Sequence, residues 1–256
     1  MRRFDRVLLT FVGCAACSEG ASRAERPRAA SPAPATSTAG GSELPMLPML
    51  ARARGPAEPV RILQPPNGAE IDAASARELA IRVQGPRESS LVLSLDGARP
   101  RPIASGTSKL GELLEPDVAL AAGAHDLVLA AMGSDGVALD PAAGGVASIR
   151  VFAGSRPAAP VPPRLVCLAP FGTFYGSSSR IALDFVVASG TPVDAVVTIV
   201  GKAGSRRARA VGRGPFALGD FESGDHRVTL TPVSGSPPML PGDCAFVLNR
   251  ELERSP

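Results

Sequence analysis

The sequence predicts an all-β protein: two tandem β-sandwiches, preceded by a signal peptide and a disordered linker rich in proline and alanine. Three observations lead there. Gly and Pro together supply 53 of 256 residues, too much punctuation for a helix bundle or a coiled coil. From Val60 onward, four- to eight-residue runs of Val, Ile and Leu alternate with polar residues between Gly, Pro, Asp and Asn, which is the pattern of strands with one buried face. Those runs return at a period near 100 residues. A hydrophobic fraction of 45% permits a core, and a formal net charge of +3 argues against a nucleic-acid binder driven by bulk charge. Aromatic residues make up only 4%, with one Tyr and no Trp.

The first element is residues 1–17. A basic head, Met1-Arg2-Arg3-Phe4-Asp5-Arg6, precedes an uncharged run of 11 residues, Val7 to Cys17. As a helix this run spans roughly 16 Å against a hydrocarbon core of roughly 30 Å. It is too short to cross a bilayer and fits the apolar region of a secretory signal. Ala15-Ala16-Cys17 resembles the lipobox of bacterial lipoproteins, which are cut before a cysteine that is then lipidated. Cys17 is the expected lipidation site, with Cys14, after Val12-Gly13, as the alternative. An ordinary signal peptide and a buried N-terminal strand are the other readings. The resemblance implies export and an outer-membrane anchor carrying several acyl chains, because Ser18 is not the aspartate linked to inner-membrane retention. Which face of the outer membrane the protein occupies stays open.

Residues 18–59 are expected to be a disordered linker. Ser31 to Gly41 has no hydrophobic period and cannot offset the entropy of ordering. One apolar patch interrupts it, Leu44-Pro45-Met46-Leu47-Pro48-Met49-Leu50. Its prolines forbid a helix interior. It reads as a docking segment for a partner, as a piece lying against the following domain, or as an apolar piece of the tether.

Two β-domains follow, 60–154 and 164–250, joined by a Pro-rich linker at 155–163 and ending in a tail at 251–256. Leu63-Gln64-Pro65-Pro66-Asn67-Gly68 returns as Leu168-Ala169-Pro170-Phe171-Gly172. Leu79 to Val83 returns as Ile181 to Phe185, and Leu91 to Gly97 as Val196 to Gly201. Gly123-Ala124-His125 returns as Gly224-Asp225-His226. Each copy closes on an apolar run, Val146 to Phe152 and Cys244 to Leu248. About seven short strands in about 95 residues is the count of an immunoglobulin-like sandwich. The early Pro-x-x-Gly, the Leu-Asp-Gly turn and the Gly-x-His before the penultimate strand resemble bacterial Ig-like and fibronectin-III-like modules. The expected departures are a core without Trp and without a cysteine pair between the two sheets. The four prolines of 155–163 predict a fixed orientation of the two domains.

Once Cys17 heads the mature chain, Cys167 and Cys244 remain, on the first and last strands of the second copy. Those strands are commonly neighbours in an Ig-like sandwich, so in an exported protein the two read as a disulfide, with free buried thiols as the alternative. No Cys or His stands beside them at metal-ligand spacing. His125 and His226 hold equivalent repeat positions, which favours a structural role over a general base, and their neighbours Asp126 and Asp225 point to the opposite face of a strand. Gly-x-Ser-x-Gly, a phosphate-binding loop and an Asp-x-Asp calcium loop are all missing from the sequence. No enzyme activity, metal or cofactor is expected.

One charge cluster stands out. Lys202, Arg206, Arg207, Arg209 and Arg213 fall in twelve residues without an acid between them. They read either as a charged sheet edge that resists pairing or as a docking site for an anionic surface. The expected function is therefore a lipid-anchored, non-catalytic envelope protein whose modules mediate structural or protein–protein contacts. The alternative is a binding module for anionic polysaccharide or lipopolysaccharide. Sugar platforms stack on exposed aromatic rings, so that alternative leans on Phe171, Phe174 and Tyr175 sharing an exposed loop.

Overall fold

The structure, a computed structural model, describes residues 44–114, 119–176, 181–233 and 238–250. The expected signal peptide with Cys14 and Cys17, the linker as far as residue 43, and the tail at 251–256 lie outside these residues.

Two Ig-like β-sandwiches make up the described chain, with eight strands in each rather than seven. Module 1 holds β1 (Arg61–Gln64), β2 (Glu70–Ile71), β3 (Ala80–Gln84), β4 (Ser90–Leu95), β5 (Arg101–Ile103), β6 (Gly106–Lys109), β7 (Gly123–Met132) and β8 (Val146–Ala153). Module 2 holds β9 (Arg164–Ala169), β10 (Gly172–Tyr175), β11 (Ala182–Ala188), β12 (Ala195–Gly201), β13 (Gly204–Ala210), β14 (Phe216–Ala217), β15 (Gly224–Pro232) and β16 (Gly242–Asn249). Each module has a three-stranded sheet, β1-β3-β6 or β14-β11-β9, facing a five-stranded one, β2-β8-β7-β4-β5 or β10-β16-β15-β12-β13.

The eighth strand comes from splitting the first. β1 pairs antiparallel with β3 in one sheet, and the chain then crosses over so that β2 pairs parallel with β8 in the other. β9 and β10 do the same with β11 and β16. Both crossings lie at cis peptide bonds, Gln64–Pro65 and Ala169–Pro170. These are the prolines of the repeated motif read from the sequence.

Alternation places Ile81, Val83, Leu91, Leu93, Leu127 and Leu129 in the core of module 1. Leu183, Val197, Val228, Leu230, Phe216 and Phe246 fill that of module 2. Cys167 and Cys244 form a disulfide with a Cα–Cα distance of 5.9 Å. Its half-cystines stand on β9 and β16, which belong to different sheets. The expectation of no cysteine pair between the sheets is therefore corrected. The sheets meet beside β9, where Leu165 N–H donates to Leu240 C=O and Leu240 N–H to Pro163 C=O, and the first and last strands approach closely enough for the bond.

The modules lie face against face. β7 is buried on both sides: Leu127, Leu129 and Ala131 face their own core, while Val128 and Ala130 pack with Val166, Leu168 and Ala188 of module 2. A continuous apolar run, rather than an alternating one, is what such a strand requires. Polar groups rim this apolar junction. Arg150 makes a two-pronged contact with Asp126 (2.8 and 2.9 Å) and donates to the carbonyls of Val161 and Pro162. Ser189 Oγ also donates to Asp126, and Arg164 sits 3.6 Å from it. The fixed orientation expected of proline stiffness is thus held by direct packing.

The stretch 44–59 corrects the expectation of a linker disordered throughout. Leu44–Leu50 lies against module 2, not against the domain that follows it in sequence. Leu47 N–H donates to Arg209 C=O, and Arg209 N–H returns a bond to Pro45 C=O, both at 2.8 Å. Leu50 N–H donates to Pro215 C=O, and Ala217 N–H to Pro48 C=O. This strap bridges the outer edges of β13 and β14. The chain then passes between the modules, where Arg52 Nη1 donates to Ala138 C=O of module 1 (2.7 Å). The same guanidinium pairs with Asp184 of module 2 (2.6 and 3.0 Å) and donates to Gly214 C=O. Asp184 also accepts from Ala138 N–H (3.0 Å). Gly55 passes so near the turn at Pro141–Ala143 that a Cβ there would meet Ala143 Cβ at 2.1 Å.

Candidate interaction surface

The basic cluster folds onto several surfaces, not one. β13 is the outer strand of the five-stranded sheet of module 2, and its alternation separates the arginines. Arg207 and Arg209 point outward from the sheet, while Ala208 and Ala210 point into the core. Arg206, on the core side of the pleat, curls over the Phe221 ring at 4.2 Å and donates to Asp220 C=O (2.6 Å). Arg209 pairs with Asp194 at 3.3 Å. Lys202 stands in the exposed turn between β12 and β13. Arg213 lies past β13, at a cleft between the modules that Phe185, Val187 and Pro141 also line. The strap covers the main-chain edge of β13 at Arg209, so charge is not the only guard on that edge.

Among the described residues, none covers the outer face of this five-stranded sheet. Arg207 stands in one cross-strand row with Thr198, Thr229 and Asp243. Ser205, Val200, Arg227 and Ala245 form the next row. Arg227 pairs with Asp243 at 3.3 Å, and Thr229 Oγ1 donates to the same carboxylate. Val200, Val247 and Tyr175 are exposed on this sheet. Tyr and Arg are residue types that protein interfaces favour, and the threonines and valines beside them add hydrogen-bonding groups and apolar area. Sequence reasoning found the arginines of β13 but missed Arg227 and the threonines. Thr198 lies before the cluster in sequence, Arg227 and Thr229 lie well beyond it, and only strand register brings them together.

The aromatic trio does not form a platform. Phe174 packs edge-on against Phe246 at 5.9 Å, and Phe171 is likewise set against the core. Tyr175 alone is well exposed, at 62%.

The two histidines occupy the same corner in both modules. His125 Nε2 donates to Ala121 C=O, and His226 Nε2 to Glu222 C=O, each at 2.8 Å and each four residues back. An imidazole thus ties this corner where many Ig-like domains use a tyrosine hydroxyl. The other ring nitrogen differs. His125 Nδ1 meets Asp96 at 2.5 Å, so both ring nitrogens face acceptors, an arrangement that favours the protonated ring. The hydrogen bond to Asp96 raises the His125 pKa above its usual range, against an opposing effect of burial. Gly201 holds the corresponding place in module 2, and a Cβ there would lie 2.5 Å from His226 Nδ1. That nitrogen is buried without a hydrogen-bond partner among the described residues.

The pH consequence follows from the sign of the shift. A histidine whose folded pKa lies above its unfolded value, near 6.5, contributes stability that is complete below that value and is lost as pH rises through the folded pKa. Thermal denaturation of the wild type and of Asp96→Asn is expected to show this. The wild type loses an advantage above about pH 6.5 that the variant lacks. Asn also tolerates the positive φ of 53° at this position, so the backbone is retained. Parallel pH profiles for the two proteins would remove Asp96 as the cause.

Among the described residues no three His, Cys, Asp or Glu side chains converge as metal ligands, and no helix is long and apolar enough to cross a membrane.

No protein-family model and no curated protein matches the chain. Among solved structures it is similar to the EC1-2 region of a human mucin-like protocadherin, at 13% identity over 76% of this chain and 98% of that one, with a TM-score of 0.27. It is similar to the N-terminal Ig1-2 module of the Drosophila receptor protein tyrosine phosphatase DLAR, at 11% identity over 76% of this chain and 100% of that one, TM-score 0.20. A third likeness is to dimeric latent PorU from Porphyromonas gingivalis, at 13% identity over 75% of this chain and 20% of that one, TM-score 0.22. The Ig-like assignment rests on the strand order given above.

Proposed function

We propose that this is a non-catalytic, lipid-anchored protein of the bacterial envelope whose two modules form one rigid platform for another envelope protein. The observation that carries the reading is the outer face of the five-stranded sheet of module 2, open among the described residues, where Arg207 and Arg227 stand among Thr198, Thr229 and Val200, with Tyr175 farther along the same sheet. The packed junction supports it as well, since a partner meets a surface whose shape is already set and little ordering entropy opposes binding.

Crosslinking in the native host, with the partner identified, tests the surface. Arg207→Glu with Arg227→Glu is expected to abolish the partner crosslink while leaving the folded state intact, because both side chains are exposed. Undiminished crosslinking by the double variant overturns the assignment to this face. Salt-sensitive binding of the purified protein to lipopolysaccharide, with no protein partner, transfers the face to the anionic-glycan reading.

The anchor rests on the basic head, the short apolar run and Ala15-Ala16-Cys17. Cys17→Ser is expected to move the protein from the membrane to the soluble fraction. Release by Cys14→Ser instead places the lipid on Cys14, and retention of both variants in the membrane overturns the lipid anchor.

A further inference from the structure

The two modules treat the same edge differently. In module 2 the gap between β13 and β14 is filled by the chain's own strap. Leu-Pro-Met-Leu-Pro-Met-Leu repeats every three residues, the period of a polyproline II segment. Leu47 turns inward onto the core of module 2, while Met46 and Met49 turn outward and are 70% and 60% exposed. The strap's main chain bonds to both flanking strands.

In module 1 the equivalent strands are β5 and β6. Val196 faces Arg209 on β13, and its repeat equivalent Leu91 faces Ile103 on β5. Ile103 therefore holds the place of Arg209, the residue whose N–H and C=O both turn away from β12 to bind the strap. At this edge module 1 has a cleft of about 890 Å³, in which Ile103 and Ser108 hold the places of Arg209 and Phe216 beside the strap, and which runs on toward Leu95 and Leu113. Leu95, Ile103, Leu113 and Leu114 give it an apolar lining, with Arg99 and Arg101 exposed on its rim and Glu112 as the one acid among its described lining residues.

We propose that this cleft of module 1 receives an extended segment of a partner protein, leucine- and proline-containing with acidic flanks, held as Leu44–Leu50 is held in module 2. Main-chain bonds to an open edge supply affinity, and side chains entering the cleft supply selectivity. The rim cations select the acidic flanks. This site is separate from the arginine face of module 2, so either can fail while the other stands.

The probe is a synthetic peptide, Glu-Glu-Leu-Pro-Met-Leu-Pro-Met-Leu-Glu-Glu, carrying a fluorophore and a photo-crosslinker, titrated into the purified protein. Saturable binding is expected, with crosslinks mapping within 95–114. Leu114→Asp, and separately Arg99→Glu with Arg101→Glu, are expected to weaken it by at least about tenfold. The charge reversal alters only exposed side chains and keeps the test decisive if Leu114→Asp fails to fold. Crosslinks confined to 204–217 mean that the peptide exchanges with the strap, and they overturn the proposal. Lack of saturable binding, or equal binding by a folded Leu114→Asp variant and by the charge reversal, overturns it too.

Discussion

Arg52→Ala is expected to cost about 3 kcal/mol of folding stability, within the range seen when one partner of a buried ion pair is removed. Thermal denaturation should show this as a fall in Tm of roughly 6–12 °C for a folded unit of this size. The Asp184 side chain is fully buried and that of Arg52 only 12% exposed. Without the guanidinium, the carboxylate keeps the Ala138 N–H as a partner but loses its counter-charge. Burial already pushes the Asp184 carboxyl above its ordinary range, with Arg52 pulling it back down, and the variant removes that pull. A carboxyl raised in the folded state destabilises that state above its folded pKa and is relieved as pH falls through it. The deficit of Arg52→Ala should therefore shrink on acidification toward the ordinary carboxylate range. Arg52→Ala with Asp184→Asn should recover part of the loss at neutral pH, because no charge is then stranded. A single variant within about 1 kcal/mol of wild type at neutral pH would show that the strap is not clasped.

Replacing Cys167 and Cys244 together by serine is expected to cost about 4.5 kcal/mol. The chain-entropy estimate for a loop closed across 77 residues gives this figure, and calorimetry under matched conditions checks it. Both half-cystines are buried in the core of module 2. A thiol reductant should thus leave the native protein oxidised and act only once denaturant opens the module. Peptide mapping without reductant should recover the 167–244 link from native protein, and free thiols at both positions would contradict the fold at the meeting of β9 and β16.

The repeat was legible because each copy carries the same local chemistry. Pro65 and Pro170 mark the crossing of the first strand, His125 and His226 the corner, and Gly97 a turn that needs positive φ. The apolar character of β7, with no alternation from Leu127 to Ala131, was also visible. It marks a strand buried on both faces but not what covers the second face. Arg52 was not legible at all. It stands among Ala, Arg, Gly and Pro with no periodicity, and its partner Asp184 is 132 residues away. The basic cluster was legible as composition but not as geometry, because the two-residue period of a strand sends neighbouring arginines to opposite faces.

By itself, the sequence determined the all-β class, the two-module repeat, the turns and the corner histidines. These follow from local preferences for φ, for alternation and for short-range hydrogen bonds, which each segment expresses before it meets another. Tertiary structure alone decided that the modules pack sheet against sheet and that the disulfide joins two sheets. It also decided that the apolar patch of the linker closes the far edge of module 2. Each of these depends on which surfaces meet across long sequence separations, a choice made by packing and by the need to pair buried charge, neither of which a local pattern records.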